Sequence, residues 1–536
     1  MYNPTNDDIR LVSDKIKNVR TKIEILNYDD TVQGVITGII ADGTHTIDSS
    51  SSVRRTFSIT ILPDADSLIT VENFSKLIDS KYRLYTCVYD RRNDDYIEYS
   101  NGVYLIQNMD FSYDAASNTL KIQASDLMTK YNGAISGNLP ALKTKISPYK
   151  VDDMGNPVLD ANGNLTYYVI KDELIGYLQY CGINKYMILE DIGEYRGIQK
   201  YNKDYLSYRN SHPQWNTIPY EIDLSTTDSY ETVFNKLCTF YFNYDYAFDE
   251  DGIFVLKMIP STYEDDIVLD NNLIQQILLT DNSENVSIDL TTVKNVSIVW
   301  GKCFSPDYYA ETSIYSTVSN VYGVSLSNIS AYENENVYAI NIEETNQLNT
   351  SIDINGMGSK MIYDEETNSP IAANTLTAGV WCFKYKNNVM YLLGQYQIHA
   401  VNILSNGKNP SYTKEFFKNK YNCDNISITV IPDSQFAIEE IGLREKSYND
   451  DTCNNLSSNS LALSYAEYLT WKTARITDKL SLTCTLIPWL REYTKISYKP
   501  KNAQSERQYM IQNIAHDFGA GTTTITAYRF YPLYDK

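Results

Sequence analysis

The chain has 536 residues, an apolar fraction of 43% and a formal net charge of −21. This composition supplies a large core and excludes a disordered chain, and the length predicts three or four packed units. The acidity excludes a surface built to grip nucleic acid, because phosphate binding rests on lysine and arginine releasing counterions. DNA that passes without sticking remains compatible with it.

The start, Met1-Tyr-Asn-Pro-Thr-Asn-Asp-Asp8, is polar and acidic, which reads against a secretory signal. No window approaches the roughly 18 apolar residues of a membrane span. Residues 1–130 read as a mostly antiparallel β unit. Thr21–Leu26 and Val32–Ile40 alternate about an Asn27-Tyr-Asp-Asp30 turn, and Arg55–Leu62 places Phe57, Ile59 and Ile61 on one face. Val71, Phe74, Leu77 and Ile78 have the spacing of a short amphipathic helix. Strands recur at 82–89, 102–107, 109–113 and 119–124, a rhythm that indicates a sandwich or barrel.

Residues 131–225 lose this rhythm and read as an insertion with exposed hairpins, at Met154-Gly-Asn-Pro157 and Asp160-Ala-Asn-Gly-Asn164. Asp160, Asn162 and Asn164 have calcium-loop spacing, but the twelfth position is Lys171 where a bidentate Glu is needed, so turn chemistry is the better reading. Residues 226–290 form a helix-plus-hairpin subdomain. Asp228-Ser-Tyr-Glu231 opens a helix as a capping box, and Asp249-Glu-Asp-Gly252 turns a hairpin between 244–248 and 253–259. Val293–Gly301 is a strong strand. Residues 305–420 are Tyr- and Asn-rich and read as a looser inserted subdomain, with β pieces at 379–385 and 389–395. A helix spans 461–476, capped by Asn459 or Ser460. Four extended runs, Leu480–Leu490, Ile496–Tyr498, Gln508–Ile514 and Thr522–Tyr528, close the chain, around a Pro488-Trp489 corner and the turn His516-Asp-Phe-Gly-Ala-Gly521.

Few residues suit catalysis. His45, His212, His399 and His516 each stand alone, and GxSxG, HExxH, Walker and GxGxxG patterns are missing. Cys87, Cys181, Cys238, Cys303, Cys382, Cys423, Cys453 and Cys484 are too far apart for metal knuckles and suit a reducing cytoplasm. The pairs Glu439-Glu440, Glu343-Glu344 and Asp265-Asp266 would point to opposite faces of a strand, which makes them poor acid/base partners. Arg54-Arg55 and Arg91-Arg92 are isolated pairs rather than a nucleic-acid stripe. We therefore expect no catalytic, cofactor-binding or metal residues. The 47 tyrosines suit pleated interfaces, and codon bias explains them equally well.

Four segments, in order, resemble the bacteriophage tail-hub proteins of low-GC Gram-positive hosts. They are Gly102–Gln107 with Ser112–Leu120 and Ser125–Met128; the helix with the Phe248–Phe254 hairpin; Val293–Gly301; and Phe436–Gly442 through Ser460–Tyr468 and Pro488–Leu490 to the 514–534 meander. The resemblance implies a mainly β fold with α+β elements, two tube-like β-barrel domains and inserted smaller subdomains. The first barrel would lie in 1–130, and the second in 291–304 and 421–536 with helix 460–476. It further implies a homotrimeric, pseudo-hexameric ring. Such a ring would join a hexameric tail tube or distal tail protein, and a tape measure protein, to a trimeric spike or tip. It would need no cofactor and no stable membrane insertion, in a virion tail assembled in the host cytoplasm. An acidic lumen would let DNA slide past by repulsion. Two alternatives are a tail-associated peptidoglycan hydrolase, against which the barrel-strand ending is read, and a host-surface-binding protein using Tyr308, Tyr309, Tyr322 and Tyr332.

Overall fold

The structure, a computed structural model, describes all residues except 1–3, 15–16, 28, 65–79, 114–117, 141–144, 153–157, 162–165, 189–217, 219–221, 242–243, 260–267, 280–282, 328, 365–367, 451–452, 454–455, 457–458 and 532–536. Two compact units divide the chain: Met1–Pro148, Tyr167–Asp289 and Thr477–Lys536 form the first, and Tyr149–Thr166 with Leu290–Ile476 the second. The fold is mainly β with α+β elements, built on a barrel-like sheet and several smaller sheets.

In the first unit, six strands close on themselves. They are β1 (Val19–Leu26), β2 (Val32–Asp48), β3 (Arg55–Pro63), β4 (Lys81–Asp90), β5 (Asp95–Tyr113) and β6 (Asn118–Asp126). Their order is β1-β4-β5-β6-β3-β2, and antiparallel pairing of β1 with β2 completes the circuit. Phe57, Ile59 and Ile61 share the buried face, as their alternation predicts, with Ile23, Ile36 and Tyr82. Side chains fill the interior, so this small barrel is a packed core rather than a bore. Asp42 follows a register shift in the β2–β3 pairing, and Gly43 next to it adopts φ +131° where a Cβ would collide with Ser58 O. A glycine is what that close approach requires. The expected helix at 71–78 lies outside the described residues.

β2 outlasts its pairing with β1. Its last turns of strand, Thr44 to Asp48, pair with Asp517 to Asn513 of β28 (Arg507–Asp517), which carries the sheet into a second curl. There β28 is followed by β29 (Thr522–Arg529), β26 (Asp478–Thr485) and β12 (Glu284–Ile288), while β27 (Lys495–Tyr498) pairs the first half of β28. Glu284 on β12 accepts hydrogen bonds from Tyr498 Oη (2.6 Å) and Lys501 N (3.0 Å), which draws the two ends of this curl together. Leu480, Leu482, Ile511, Ile514, Ile525 and Trp489 fill it. Two helices cap the same core: α1 (Asn6–Ser13), which a Thr5/Asp8 capping box starts, and α4 (Asn271–Ile277).

A third cluster in this unit packs α2 (Ile170–Tyr180) and α3 (Tyr230–Cys238) on the β10 (Tyr244–Phe248) and β11 (Phe254–Met258) hairpin, with β8 (Tyr186–Ile188) parallel to β11. The two-residue strands β7 (Lys145–Ile146) and β9 (Ile222–Asp223) pair antiparallel. Ser229, not Asp228, caps α3, accepting from Thr232 N; Asp228 instead accepts from Ser225 N.

In the second unit, β13 (Val296–Cys303) and β23 (Gln397–Ser405) are central to a sheet ordered β24 (Ile426–Val430), β23, β13, β25 (Glu445–Tyr448). Val296, Val401 and Ile403 pack with Phe417 of α5 (Lys414–Tyr421) and Ile438 of α6 (Ile438–Ile441). The long helix α7 (Asn459–Thr473) buries Ala462, Ala466 and Leu469 and packs on β23 and β13. The segments 291–304 and 421–536 thus contribute to both units: β13, β24, β25 and α7 to the second, β26 to β29 to the first.

Residues 305–420 are more regular than their composition predicts. Nine strands form one sheet: β14 (Tyr308–Ala310), β15 (Ser313–Ser316), β16 (Val321–Val324), β17 (Val337–Ile342), β18 (Ser351–Ile354), β19 (Lys360–Asp364), β20 (Ser369–Pro370), β21 (Gly379–Lys386) and β22 (Val389–Gln395). The asparagines make its turns. Asn320, Asn349, Asn355, Asn368, Asn374, Asn387 and Asn388 all adopt positive φ, which Asn tolerates better than other non-glycine residues.

Candidate functional site

The strongest concentration of charge inside the first unit is where β3 begins. Arg54 and Arg55, the pair that reads as isolated in sequence, are both buried and diverge to different carboxylates. Arg54 donates from Nη1 to Asp245 Oδ2 (2.7 Å) and from Nη2 to Asp245 Oδ1 (3.1 Å), a fork-on-fork pair reaching into β10. Arg55 Nη2 donates to both oxygens of Glu492, at 2.8 and 2.9 Å, and Nη1 donates to Phe248 O. Burial would lift the Glu492 carboxyl, but Arg55, Lys257 and Arg54 outweigh it and hold it far below the usual carboxylate range.

The residues after the Pro488-Trp489 corner complete the cluster. Arg491 donates to Pro488 O, Leu490 O and Ser100 O and lies 3.6 Å from Glu250. Tyr493, at φ +59°, donates to Asp245 Oδ2 (2.6 Å). Asp126 accepts from Arg55 N (2.9 Å) and Met128 N (3.0 Å), and its burial lifts that carboxyl to about 6. Three distant stretches, near 54, 245 and 492, are locked by this network. Its carboxylates are occupied by arginines and amides, so the arrangement fastens the fold rather than presenting a reactive group.

A second pairing joins the two curls of the sheet. His45 on β2 and His516 on β28 are partners in register, and their buried rings stack at 5.5 Å and 17°. Neither histidine is solitary, and His516 ends a strand rather than a turn. His45 Nε2 meets Tyr104 Oη at 2.7 Å, and His516 Nδ1 meets Thr523 Oγ1 at 2.9 Å. Burial pushes both imidazoles down, His516 to about 3, and nearby Arg491 adds to the effect in each.

The remaining candidates are dispersed. His399 stacks on Trp300 at 3.8 Å, and burial lowers it to about 4. Glu439-Glu440 lies on the helix α6, not a strand; Glu439 accepts from Ser405 Oγ and Asn406 N, and Glu440 pairs with Lys408. Glu343-Glu344 is exposed beyond β17. Among the four tyrosines considered for host binding, Tyr322 is buried and donates to Glu344 O, Tyr332 donates to Gly358 O, Tyr308 stacks on Tyr338, and Tyr309 is 48% exposed. His212, Asp265-Asp266, Asn162 and Asn164 lie outside the described residues. Among the described residues, seven cysteines are free thiols and no three potential ligands converge on a metal position.

A family model described as a domain of unknown function (DUF5048) matches residues 433–534. No curated protein matches this chain. Among solved structures it is similar to the 43 kDa tail protein of prophage MuSo2 from Shewanella oneidensis, with 9% identity over 96% of this chain and 98% of that one and a TM-score of 0.43. A tail protein from Neisseria meningitidis MC58 is similar at 7% identity over 96% and 97%, with a TM-score of 0.42. The prophage tail protein gp18 from Listeria monocytogenes EGD-e is similar at 7% identity over 95% and 94%, with a TM-score of 0.38.

Proposed function

We propose that this chain is the structural hub of a bacteriophage tail tip or baseplate. One observation carries the reading: a single sheet closes into a six-stranded ring and then, through β2, continues into a second curl. One polypeptide thereby holds two tube-like β modules, the arrangement that the four ordered sequence segments imply. Three copies around an axis would present six modules, matching a hexameric tail tube on one side and a trimeric spike or tip on the other. Closed rings of this kind use heterologous interfaces, which also protect open strand edges such as that of β12.

The role is mechanical and needs no cofactor. The buried Arg–carboxylate network suits it, since it fastens three remote stretches without offering a reactive group. DNA would pass through the ring without specific binding. Mass measurement of purified tails tests the reading, with three copies per tail expected. A zymogram on host cell walls tests the hydrolase alternative, and clearing of the wall would favour that alternative.

A further inference from the structure

The nine-stranded sheet of the second unit curls until its two ends meet. Its order, β14-β17-β21-β22-β19-β18-β16-β15, begins and ends on strands that only Glu311 and Thr312 separate in the chain. β14 pairs one half of β17, with Tyr308, Tyr309 and Ala310 opposite Tyr338, Ala339 and Ile340. Just past the kink, Ser313 Oγ donates to Asn341 O on the other half of β17 (2.6 Å), and Asn341 Nδ2 donates back to Glu311 O (3.0 Å). One broken strand therefore closes the sheet into a small barrel, with side chains completing the circuit where the ladder stops. Tyr322, Tyr338, Ile340, Ile352, Phe383 and Met390 fill it, and its whole core lies between Tyr308 and Leu392. The neighbouring core, built on Val296, Val401, Ile403, Phe417 and Ile438, shares no residue with it. Among the described residues, no strand of the barrel pairs with β13, β23, β24 or β25.

The barrel is attached through one hairpin. The chain leaves β13 at Cys303 and returns to β23 at Gln397, and these two residues are registered partners. Beside them Phe304 N donates to Tyr396 O at 3.2 Å. The register shifts between Trp300 and Cys303, a bulge of the kind that bends a strand pair, and Trp300 stacks on His399 at the root of the hairpin. An insertion whose ends meet on paired strands leaves its host sheet complete. A body of about 90 residues with its own core is also large enough to fold by itself.

We propose that residues 304–396 are a third, self-sufficient β-barrel module, an appendage that the rest of the chain needs neither to fold nor to enter a tail. The second clause rests on the hub reading; the first stands without it. Hydrogen exchange of the full chain tests the first, with Phe383→Ala striking the barrel core and Val401→Ala striking the neighbouring one. Phe383→Ala should speed exchange of the amides of 337–342 and 381–385 at least about tenfold and leave those of 296–300 and 399–405 at the parental rate. Val401→Ala should do the reverse. Equal acceleration of both sets in either variant would overturn the proposal. Replacing 304–396 by a two-residue Asn-Gly turn, which suits strands paired as Cys303 and Gln397 are, tests the second clause. The shortened chain should keep parental exchange at 399–405 and appear in phage tails in parental amount. Loss of that protection, or tails lacking the shortened chain, would contradict it. Should mass spectrometry fail to find the unsubstituted chain in tails, the hub reading falls instead, and the two exchange variants still decide whether the barrel is self-sufficient.

Discussion

At the scale of single residues, the first unit buries charged and titratable groups together with their partners. Arg55→Ala strips Glu492 of its bidentate partner in the core, leaving only the more distant Lys257 and Arg54 to balance its charge, which costs about 3–5 kcal/mol. Urea unfolding of the purified protein checks this; a loss under about 1 kcal/mol would mean that the network is not buried as described. The histidine pair sets a pH dependence. Both rings are neutral in the fold, with His516 at about 3, but take up protons near pH 6.5 once unfolded. The unfolded chain then binds more protons, so stability rises with pH through that window. On acidification below about pH 6.5 each ring costs about 1.4 kcal/mol per pH unit until its folded pKa is reached. Asp126 works the other way, because its folded value of about 6 exceeds the unfolded one. Between roughly pH 6 and 4 it offsets one ring, and the other still dominates. The urea midpoint should fall steadily below pH 6.5; a flat profile would contradict the burial of both rings.

At the scale of elements, the clearest alternation was legible and the pairings were not. Arg55–Leu62 announces β3 because one face must be apolar and the other wet, and the 244–259 hairpin announces itself through its Asp-Gly turn. Neither pattern says which strands meet. The stacking of His45 on His516 depends on two strands more than 450 residues apart sharing a register, and Arg54-Arg55 matters only because Asp245 and Glu492 arrive beside it. Residues 305–420 misled for a local reason: short strands with frequent Asn turns dilute the alternation that marks a sheet. At β2, Gly43→Ala forces a side chain against Ser58 O at positive φ, and a loss of about 1–3 kcal/mol in thermal or urea unfolding is expected. In α7, Ala466→Leu overfills the layer against β23 and should cost about 1–3 kcal/mol by the same assay. Tolerance at both positions would show that these contacts are looser than drawn.

At the scale of the whole molecule, the net charge of −21 makes copies of the chain repel one another at long range. The mainly β character was legible from the strand rhythm of the first 130 residues and the closing meander. The division into units was not, because β26 to β29 fold with strands from the opposite end of the chain, a consequence of long-range pairing that composition does not encode. Electron cryomicroscopy of the virion tail puts the hub claim to the most direct trial. The account predicts three copies of this chain about the tail axis, their six curled modules forming one continuous ring beneath the tube. A tail without this chain, or one copy set off the axis, would contradict it.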